Sequence, residues 1–120
     1  MTYQQRIGNL GEEIAAVFLG DLGYQLLEKN FRTPYGELDI IMIDSDILVF
    51  VEVKTRTTTS FGSPESSITH TKLERIHNSA LLWLQSHPDQ NDDWRIDVVA
   101  ILLNAEGMVE DIQHFISVNL

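Results

Sequence analysis

Two neighbouring aliphatic segments, residues 38–43 and 47–55, constrain the fold of this chain more than any other feature of its sequence. Both are rich in β-branched residues, and only the polar tripeptide Asp44-Ser45-Asp46 separates them. This pattern predicts a β-hairpin, because apolar runs joined by a short polar turn are typical of paired strands. Charged residues interrupt the apolar run, so it does not predict a segment that spans a membrane.

The sequence on either side of the hairpin predicts two helices, three more strands and a loop. Apolar residues recur at helical spacing in two stretches, each of which predicts an amphipathic helix. The predicted buried stripe of the second helix consists of Leu73, Ile76, Ala80, Leu81 and Leu84. The predicted elements besides the hairpin, in chain order, are a helix over 7–22, a strand over 24–31, a loop over 56–66, a helix over 69–86 and strands over 94–103 and 112–118.

The order α-β-β-β-α-β-β predicts an α/β sandwich around a central mixed sheet. A length of 120 residues fits one domain, residues 1–120. The absence of cysteine excludes a disulfide scaffold and any thiolate metal site. The first residues lack the basic and then apolar pattern of a signal peptide, so we expect a cytoplasmic protein with no membrane segment.

The charge of the chain is strongly acidic but unevenly placed. Eight Lys and Arg face eighteen Asp and Glu, which gives a net charge of −10. This balance argues against a protein that coats duplex DNA through bulk charge, although it leaves room for a local basic surface. Such a surface could form if the fold gathers the basic residues of the first three quarters of the chain, Lys29, Arg32, Lys54, Arg56, Lys72 and Arg75.

Glu52 is unusual among its neighbours, because it lies within an aliphatic strand where a carboxylate is costly unless it is paired or binds a metal. Antiparallel pairing about a turn near Ser45 would place Asp39 opposite Val51 or Glu52. Side chains alternate along a strand, so Glu52 and Lys54 share one face. Asp39, Glu52 and Lys54 can therefore converge at one end of the hairpin.

Two carboxylates held close together suit a hard divalent cation such as Mg²⁺, which prefers oxygen ligands. Such an ion polarises a phosphate and helps to generate hydroxide from water, and a neighbouring lysine can orient that water or stabilise the transition state. The residues thus predict metal-assisted phosphodiester hydrolysis. On spacing alone, Asp39, Glu52 and Lys54 could equally form a cross-strand ion pair, and Glu12 could be a favourable charge near a helix N-terminus.

Four short segments form a wider pattern: Gly36-Glu37-Leu38-Asp39, Phe50-Val51-Glu52-Val53-Lys54-Thr55-Arg56, Gly8-x-x-Gly11-Glu12 and Phe61-Gly62-x-Pro64. The first two resemble the PD-(D/E)-x-K nuclease signature, with Leu38 in place of the proline. All four together resemble the YraN family of bacterial proteins, which is similar in fold to restriction endonucleases and archaeal Holliday junction resolvases. This resemblance runs from Gly8 to about Ala100.

The resemblance implies a restriction-endonuclease-like fold and a nuclease that depends on Mg²⁺ or Mn²⁺. Asp39 and Glu52 would be metal ligands, with the carbonyl oxygen of Val53 as a third ligand. Lys54 would be the catalytic lysine. Glu12 would be an additional acidic residue that the first helix brings to the metal or to its water molecules.

DNA is the expected partner, with branched or otherwise structured DNA as the expected substrate. Arg32, Arg56, Lys72 and Arg75 are the candidate nucleic-acid contacts. A homodimer is a further expectation, from the resemblance to dimeric resolvases and from the apolar second helix. The alternatives are a catalytically silent nucleic-acid-binding module on the same scaffold, which the acidic net charge favours, and a purely structural partner protein.

Overall fold

The structure is a computed structural model and describes residues 1–57, 68–90 and 93–119. The predicted order α-β-β-β-α-β-β is confirmed, and the chain is a mixed α/β protein. Neither helix in these ranges is long and apolar enough to cross a membrane. The elements in chain order are α1 (Tyr3–Asp21), β1 (Gln25–Thr33), β2 (Gly36–Asp44), β3 (Ile47–Thr57), α2 (His70–Gln85), β4 (Trp94–Leu103) and β5 (Val109–Phe115).

The strands form one five-stranded sheet in the order β1-β2-β3-β4-β5. Every neighbouring pair is antiparallel except β3 and β4, which are parallel and pair from Leu48–Trp94 to Thr57–Leu103. A parallel pair cannot be joined by a tight turn, and α2 provides the longer connection that it needs. The predicted mixed sheet is therefore confirmed.

The two helices cover opposite faces of the sheet, as the alternation along β3 shows. Val49, Val51 and Val53 pack in the cluster that contains the buried residues of α1, whereas Leu48 and Phe50 pack with those of α2. Because side chains of successive strand residues point to opposite faces, β3 contributes to both layers of the core. The predicted division of this strand into two faces is confirmed.

The buried face of α2 differs from the predicted stripe at one position. Leu73, Ile76 and Ala80 are buried as predicted, Leu84 is partly buried, and Ser79 and Trp83 complete the buried face. Leu81 was placed on this stripe, but it is 47% exposed. The prediction was wrong because Leu81 directly follows Ala80, and one residue turns an α-helix by about 100°.

The ends of several elements also differ from the prediction. The last strand begins at Val109 rather than at Ile112, because a tight turn from Asn104 to Met108 returns the chain at once, with Gly107 at φ 82°. The first strand lies at 25–33 instead of 24–31. Of the predicted loop, residues 56 and 57 extend β3, and residues 58–66 lie outside the described ranges.

A buried network of polar side chains ties β4 to β5 and to the end of the described chain. Asp97 is fully buried and accepts hydrogen bonds from Nε of Arg95 (2.9 Å) and from the backbone N–H of Ser117 (3.0 Å). Nε2 of His114 lies 2.8 Å from the same carboxylate, and Arg95 also binds Asp44 at 3.1 Å. Removing one partner from such a network is costly, because it leaves a buried charge without its counterion.

The N-terminal half of α1 approaches the sheet unusually closely at Gly11. A Cβ at this position would overlap the hydroxyl oxygen of Thr55 on β3 and would lie 2.8 Å from the Cβ of Thr55. Glycine is therefore required at residue 11 by the packing of α1 on β3 rather than by its backbone angles. This contact fixes the next residue, Glu12, above the end of the β2–β3 hairpin.

We expect the Asp97→Ala variant to lose about 3–5 kcal/mol of stability, because the change leaves the Arg95 guanidinium without its buried partner. Urea unfolding followed by circular dichroism measures this loss. Glu110→Gln, on the exposed part of β5, is the matched control and should change stability by less than about 0.5 kcal/mol. Equal stability of the two variants would show that the network contributes little.

Gly11→Ala should lower stability by about 1–3 kcal/mol through overpacking against Thr55, although alanine has the higher helix propensity. Gly20→Ala is the control in the same helix, where a Cβ meets nothing within 4 Å. That variant should be neutral or more stable by up to about 1 kcal/mol. Thermal unfolding of both variants checks this, and a stabilised Gly11→Ala protein would contradict the close approach.

Candidate metal centre

The candidate site lies where the pairing of β2 and β3 ends. The last described pair of this ladder is Ile40–Val51, and the same register places Asp39 level with Glu52, as the sequence predicts. Instead of a further backbone pair, the backbone N–H of Val53 donates to Oδ2 of Asp39 at 2.9 Å. The carboxylate of Asp39 thus takes the position of a ladder partner and is held against β3.

The other neighbour of Asp39, β1, is also irregular at this level. The β1–β2 pairing includes Lys29–Ile40 and Phe31–Leu38, and the residue between them on β1 is Asn30. Asn30 has φ 57°, in the left-handed region that asparagine tolerates better than most residues. The β2–β3 ladder thus ends beside Asp39, and the left-handed Asn30 stands across from Asp39 within an unchanged β1–β2 register.

Two further carboxylates approach Asp39. Carboxylate oxygens of Glu12, Glu37 and Asp39 all lie within 4.8 Å of one another. With its amide nitrogen turned toward them, Asn30 donates to Oε1 of Glu12 at 3.0 Å and to Oε1 of Glu37 at 3.1 Å. Asn30 thus links the acid on α1 to the acid on β2.

Glu37 and Asn30 are members of the site that the sequence analysis missed. Glu37 belongs to the segment Gly36-Glu37-Leu38-Asp39 and lies two residues before Asp39 on the same strand. This spacing could have identified Glu37 as a member of the site. Nothing in the sequence marks Asn30, because its place depends on its own left-handed backbone.

A cavity of about 550 Å³ brings the predicted catalytic and metal residues together. It is lined by all five of them, Glu12, Asp39, Glu52, Val53 and Lys54. The remaining lining residues come from the first turns of α1 and from the end of β3, and they are Tyr3, Gln4, Ile7, Gly8, Thr55 and Thr57. The ligand role of the Val53 carbonyl stays a prediction.

The pKa values of the cavity acids Glu12, Asp39 and Glu52 are all raised above their usual values. Burial and the neighbouring charge of Asp39 raise the pKa of Glu52, and burial raises the pKa of Asp39 against the opposing hydrogen bond from Val53. Burial, together with Asp39 and Glu37, raises the pKa of Glu12 from 4.5 to about 7. Each shift has the sign expected where carboxyl groups are crowded in a poorly hydrated place.

Basic side chains lie on the α2 side of these acids. Burial and the proximity of Lys72 lower the pKa of Lys54, which favours the neutral amine, whereas the Glu52 carboxylate opposes that shift. Lys72 lies in the first turn of α2. Thr69 is the N-cap of this helix, and its Oγ1 accepts a hydrogen bond from the backbone N–H of Lys72 at 3.1 Å. The site therefore combines crowded acids with a pair of lysines.

The predicted nucleic-acid contacts lie around the same site, and one of them, Arg32, forms an ion pair with Glu37. Arg56 is close enough to lower the pKa of Lys54. Lys72 and Arg75 line a second cavity of about 180 Å³ that also reaches Glu52. Arg32 lies on β1, where its Nε pairs with Glu37 at 3.3 Å and its side chain is otherwise exposed. The predicted Phe61-Gly62-x-Pro64 segment lies outside the described ranges.

Comparison with known proteins identifies one family. The model described as "Uncharacterised protein family UPF0102" matches residues 11–101. The UPF0102 protein of Syntrophomonas wolfei is 44% identical over 113 residues, which cover 94% of this chain and 96% of the relative. The UPF0102 protein of Syntrophus aciditrophicus is 43% identical over 107 residues, covering 89% of this chain and 84% of the relative. The counterpart in Clavibacter michiganensis is 45% identical over 102 residues, covering 85% and 86%.

The matched region includes α1 from Gly11, the whole hairpin and all of the cavity acids. The resemblance to the YraN family, made on the motifs alone, is therefore confirmed. The chain belongs to the UPF0102 family.

Proposed function

We propose that this protein is a divalent-metal-dependent nuclease that hydrolyses phosphodiester bonds in DNA. The observation that carries the proposal is the single cavity in which Asp39, Glu52 and Lys54 meet beside Glu12. Asp39, Glu52 and Lys54 come from the two segments that resemble the PD-(D/E)-x-K signature, and Glu12 comes from the wider pattern that resembles the YraN family. An ion-pair role on a solvated sheet face explains them less well, because it gives no reason for several acids to crowd in one cavity.

The donor atoms of the cavity suit Mg²⁺ or Mn²⁺. Asp39 and Glu52 would hold the ion, and Glu12 and Glu37 offer further carboxylate oxygens around Asp39. All of these donors are hard oxygen atoms, which is the ligand type that both ions accept. A bound ion would polarise a phosphate and make a water molecule more acidic. It would also remove the repulsion that raises the pKa of these carboxyl groups.

Lys54 and the residues beside it have complementary roles in the proposed reaction. Its amine lies on the same strand face as Glu52, where it can donate to a phosphate oxygen or position the attacking water. Lys72 and Arg56, close to Lys54, add the positive charge that a polyanionic substrate requires. The negative charge of the acids is thus countered from one side of the site.

A homodimer stays a prediction. The apolar stripe of α2 packs against the sheet, where Leu73, Ile76 and Ala80 are buried. The helix therefore gives no separate support for self-association, and the expectation depends on the family resemblance.

Divalent ions should stabilise the protein, and more strongly at high pH than at low pH. Since the pKa of Glu12 is raised from 4.5 to about 7, the folded protein without metal loses stability as the pH rises through that window. A cation reverses this loss, so saturating Mn²⁺ should raise the melting temperature by roughly 4 °C or more near pH 8 and by much less near pH 5. Differential scanning fluorimetry with Mn²⁺ and with EDTA measures the shift.

The matched variant for this measurement is Glu52→Gln. Without metal it should melt close to the temperature of the natural protein near pH 8, because burial and Asp39 raise the pKa of Glu52 to about 9 and glutamine resembles the neutral acid. It should also lose most of the Mn²⁺ shift. If Mn²⁺ raised the melting temperature equally in both proteins, the ion would bind at a site that does not include Glu52.

Cleavage of DNA is the direct test of the proposed reaction. Purified protein is incubated with Mn²⁺ and labelled four-way junction, flap, single-stranded and double-stranded DNA. We expect cleavage of at least one substrate, abolished by EDTA, and a fall of about 100-fold or more in the Glu52→Ala and Lys54→Ala variants, which lose charge stabilisation at the reacting phosphate. Denaturing gels read the products.

Glu110→Gln, far along the chain on β5, is the control and should cut as the natural protein does. Equal cutting by Glu52→Ala, or no cutting of any substrate, would contradict the enzymatic proposal. DNA binding that EDTA does not change, without cleavage, would instead favour a silent binding module on this scaffold.

A further inference from the structure

Two tyrosine side chains stand out on the surface of this protein. Within residues 1–57, 68–90 and 93–119, Tyr3 and Tyr35 are the only strongly exposed Phe, Tyr or Trp side chains, at 60% and 48%. They are far apart in sequence, one at the start of α1 and the other in the turn between β1 and β2. Both nevertheless border the candidate metal centre.

Tyr3 lies at the rim of the 550 Å³ cavity that holds the acids and Lys54. The helix start that carries it is well fixed, because Thr2 and Gln5 form a reciprocal capping box. The N–H of Gln5 donates to Oγ1 of Thr2 at 3.1 Å, and the N–H of Thr2 donates to Oε1 of Gln5 at 2.9 Å. The ring of Tyr3 takes no part in this cap, so it is free to be substituted without loss of the helix start.

Tyr35 borders the second cavity, of about 180 Å³, together with Lys72 and Arg75. Its N–H donates to Oγ1 of Thr33 at 3.0 Å, and that hydroxyl lies 2.8 Å from Oγ of Ser79 on α2. The turn that carries Tyr35 is thus tied to the helix that carries the two cations.

Glu52 lines both cavities, so the two exposed rings lie on either side of the proposed metal ligand. Exposed aromatic rings beside basic residues are the usual platform on which proteins stack the bases of single strands. Stacking also suits a chain of net charge −10, because it adds affinity that does not depend on positive charge. Bases inside a continuous duplex are already stacked on each other and offer no free face.

We propose that this site binds DNA through unpaired nucleotides, with Tyr3 and Tyr35 stacking on bases on opposite sides of the phosphate that is cut. Lys72 and Arg75 bind the backbone phosphate next to Tyr35. The inference rests on the proposed nuclease function and narrows its substrate class to single strands and to the unpaired parts of branched DNA. A continuous duplex is a poor ligand.

The test compares the binding of a labelled single-stranded oligonucleotide with that of the blunt duplex of the same sequence, by fluorescence anisotropy in Ca²⁺ at one salt concentration. The single strand should bind more tightly. Tyr3→Ala and Tyr35→Ala should each weaken its binding by about 5- to 100-fold, in line with the loss of one stacked base. Neither change should alter binding of the duplex.

Conservative and distant variants control for unfolding. Tyr3→Phe and Tyr35→Phe keep the ring and should bind within about twofold of the natural protein, since stacking needs the ring and not the hydroxyl. Met108→Ala removes another exposed apolar side chain, 65% exposed and in the β4–β5 turn, and should leave binding unchanged. Duplex binding as tight as that of the single strand, or alanine variants that bind as tightly as the natural protein, would overturn the inference.

The outcome is separable from that of the cleavage test. Cleavage of duplex DNA that is insensitive to both tyrosine substitutions would support the nuclease and overturn the stacking inference. Tyrosine-dependent binding of single strands without cleavage in Mg²⁺ or Mn²⁺ would support the stacking inference and contradict the nuclease.

Discussion

The hydrogen bond from the Val53 N–H to the Asp39 carboxylate is the interaction on which the rest of the site depends. It satisfies a backbone donor at the point where the β2–β3 ladder ends, and a charge-assisted bond of this kind contributes about 1.5–3 kcal/mol. It also holds Asp39 at the level of Glu52, where residues of both strands line the cavity. Gly11 then allows α1 to approach closely enough to bring a further acid to the same place.

Asp97 and the Asp39–Glu52 pair are both buried acidic groups, and they differ in how their charge is matched. Asp97 is fully buried but has the Arg95 guanidinium at 2.9 Å, Nε2 of His114 at 2.8 Å and the backbone N–H of Ser117 at 3.0 Å. Such a carboxylate needs nothing from outside. In the Asp39–Glu52 pair, the charges of Lys54 and Lys72 lower the pKa of Glu52, and the charge of Lys54 lowers the pKa of Asp39. Burial outweighs these effects, so the pKa values of both acids remain raised. Unmatched buried charge of this kind is characteristic of functional sites.

Much of this arrangement can be predicted from the sequence, because it follows from period-2 alternation and from a short turn. Those rules suffice to place Asp39 opposite Val51 or Glu52, between which the register of the structure decides, and to put Glu52 and Lys54 on one face. They do not predict Asn30, whose place depends on its left-handed backbone, whereas Glu37 could have been recognised because it lies two residues before Asp39 on the same strand. The exposure of Leu81 was mispredicted because Leu81 directly follows the buried Ala80 and is turned about 100° away from it around the helix.

We propose that the two hairpin carboxylates, Asp39 and Glu52, hold a divalent ion. Anomalous diffraction from a crystal soaked in Mn²⁺ tests it most directly, since the scattering identifies both the ion and its place. We expect a strong anomalous peak between Asp39 and Glu52, with Glu12 on the α1 side of it. A peak elsewhere, or no peak in crystals that diffract well and contain Mn²⁺ in the solvent, would contradict it.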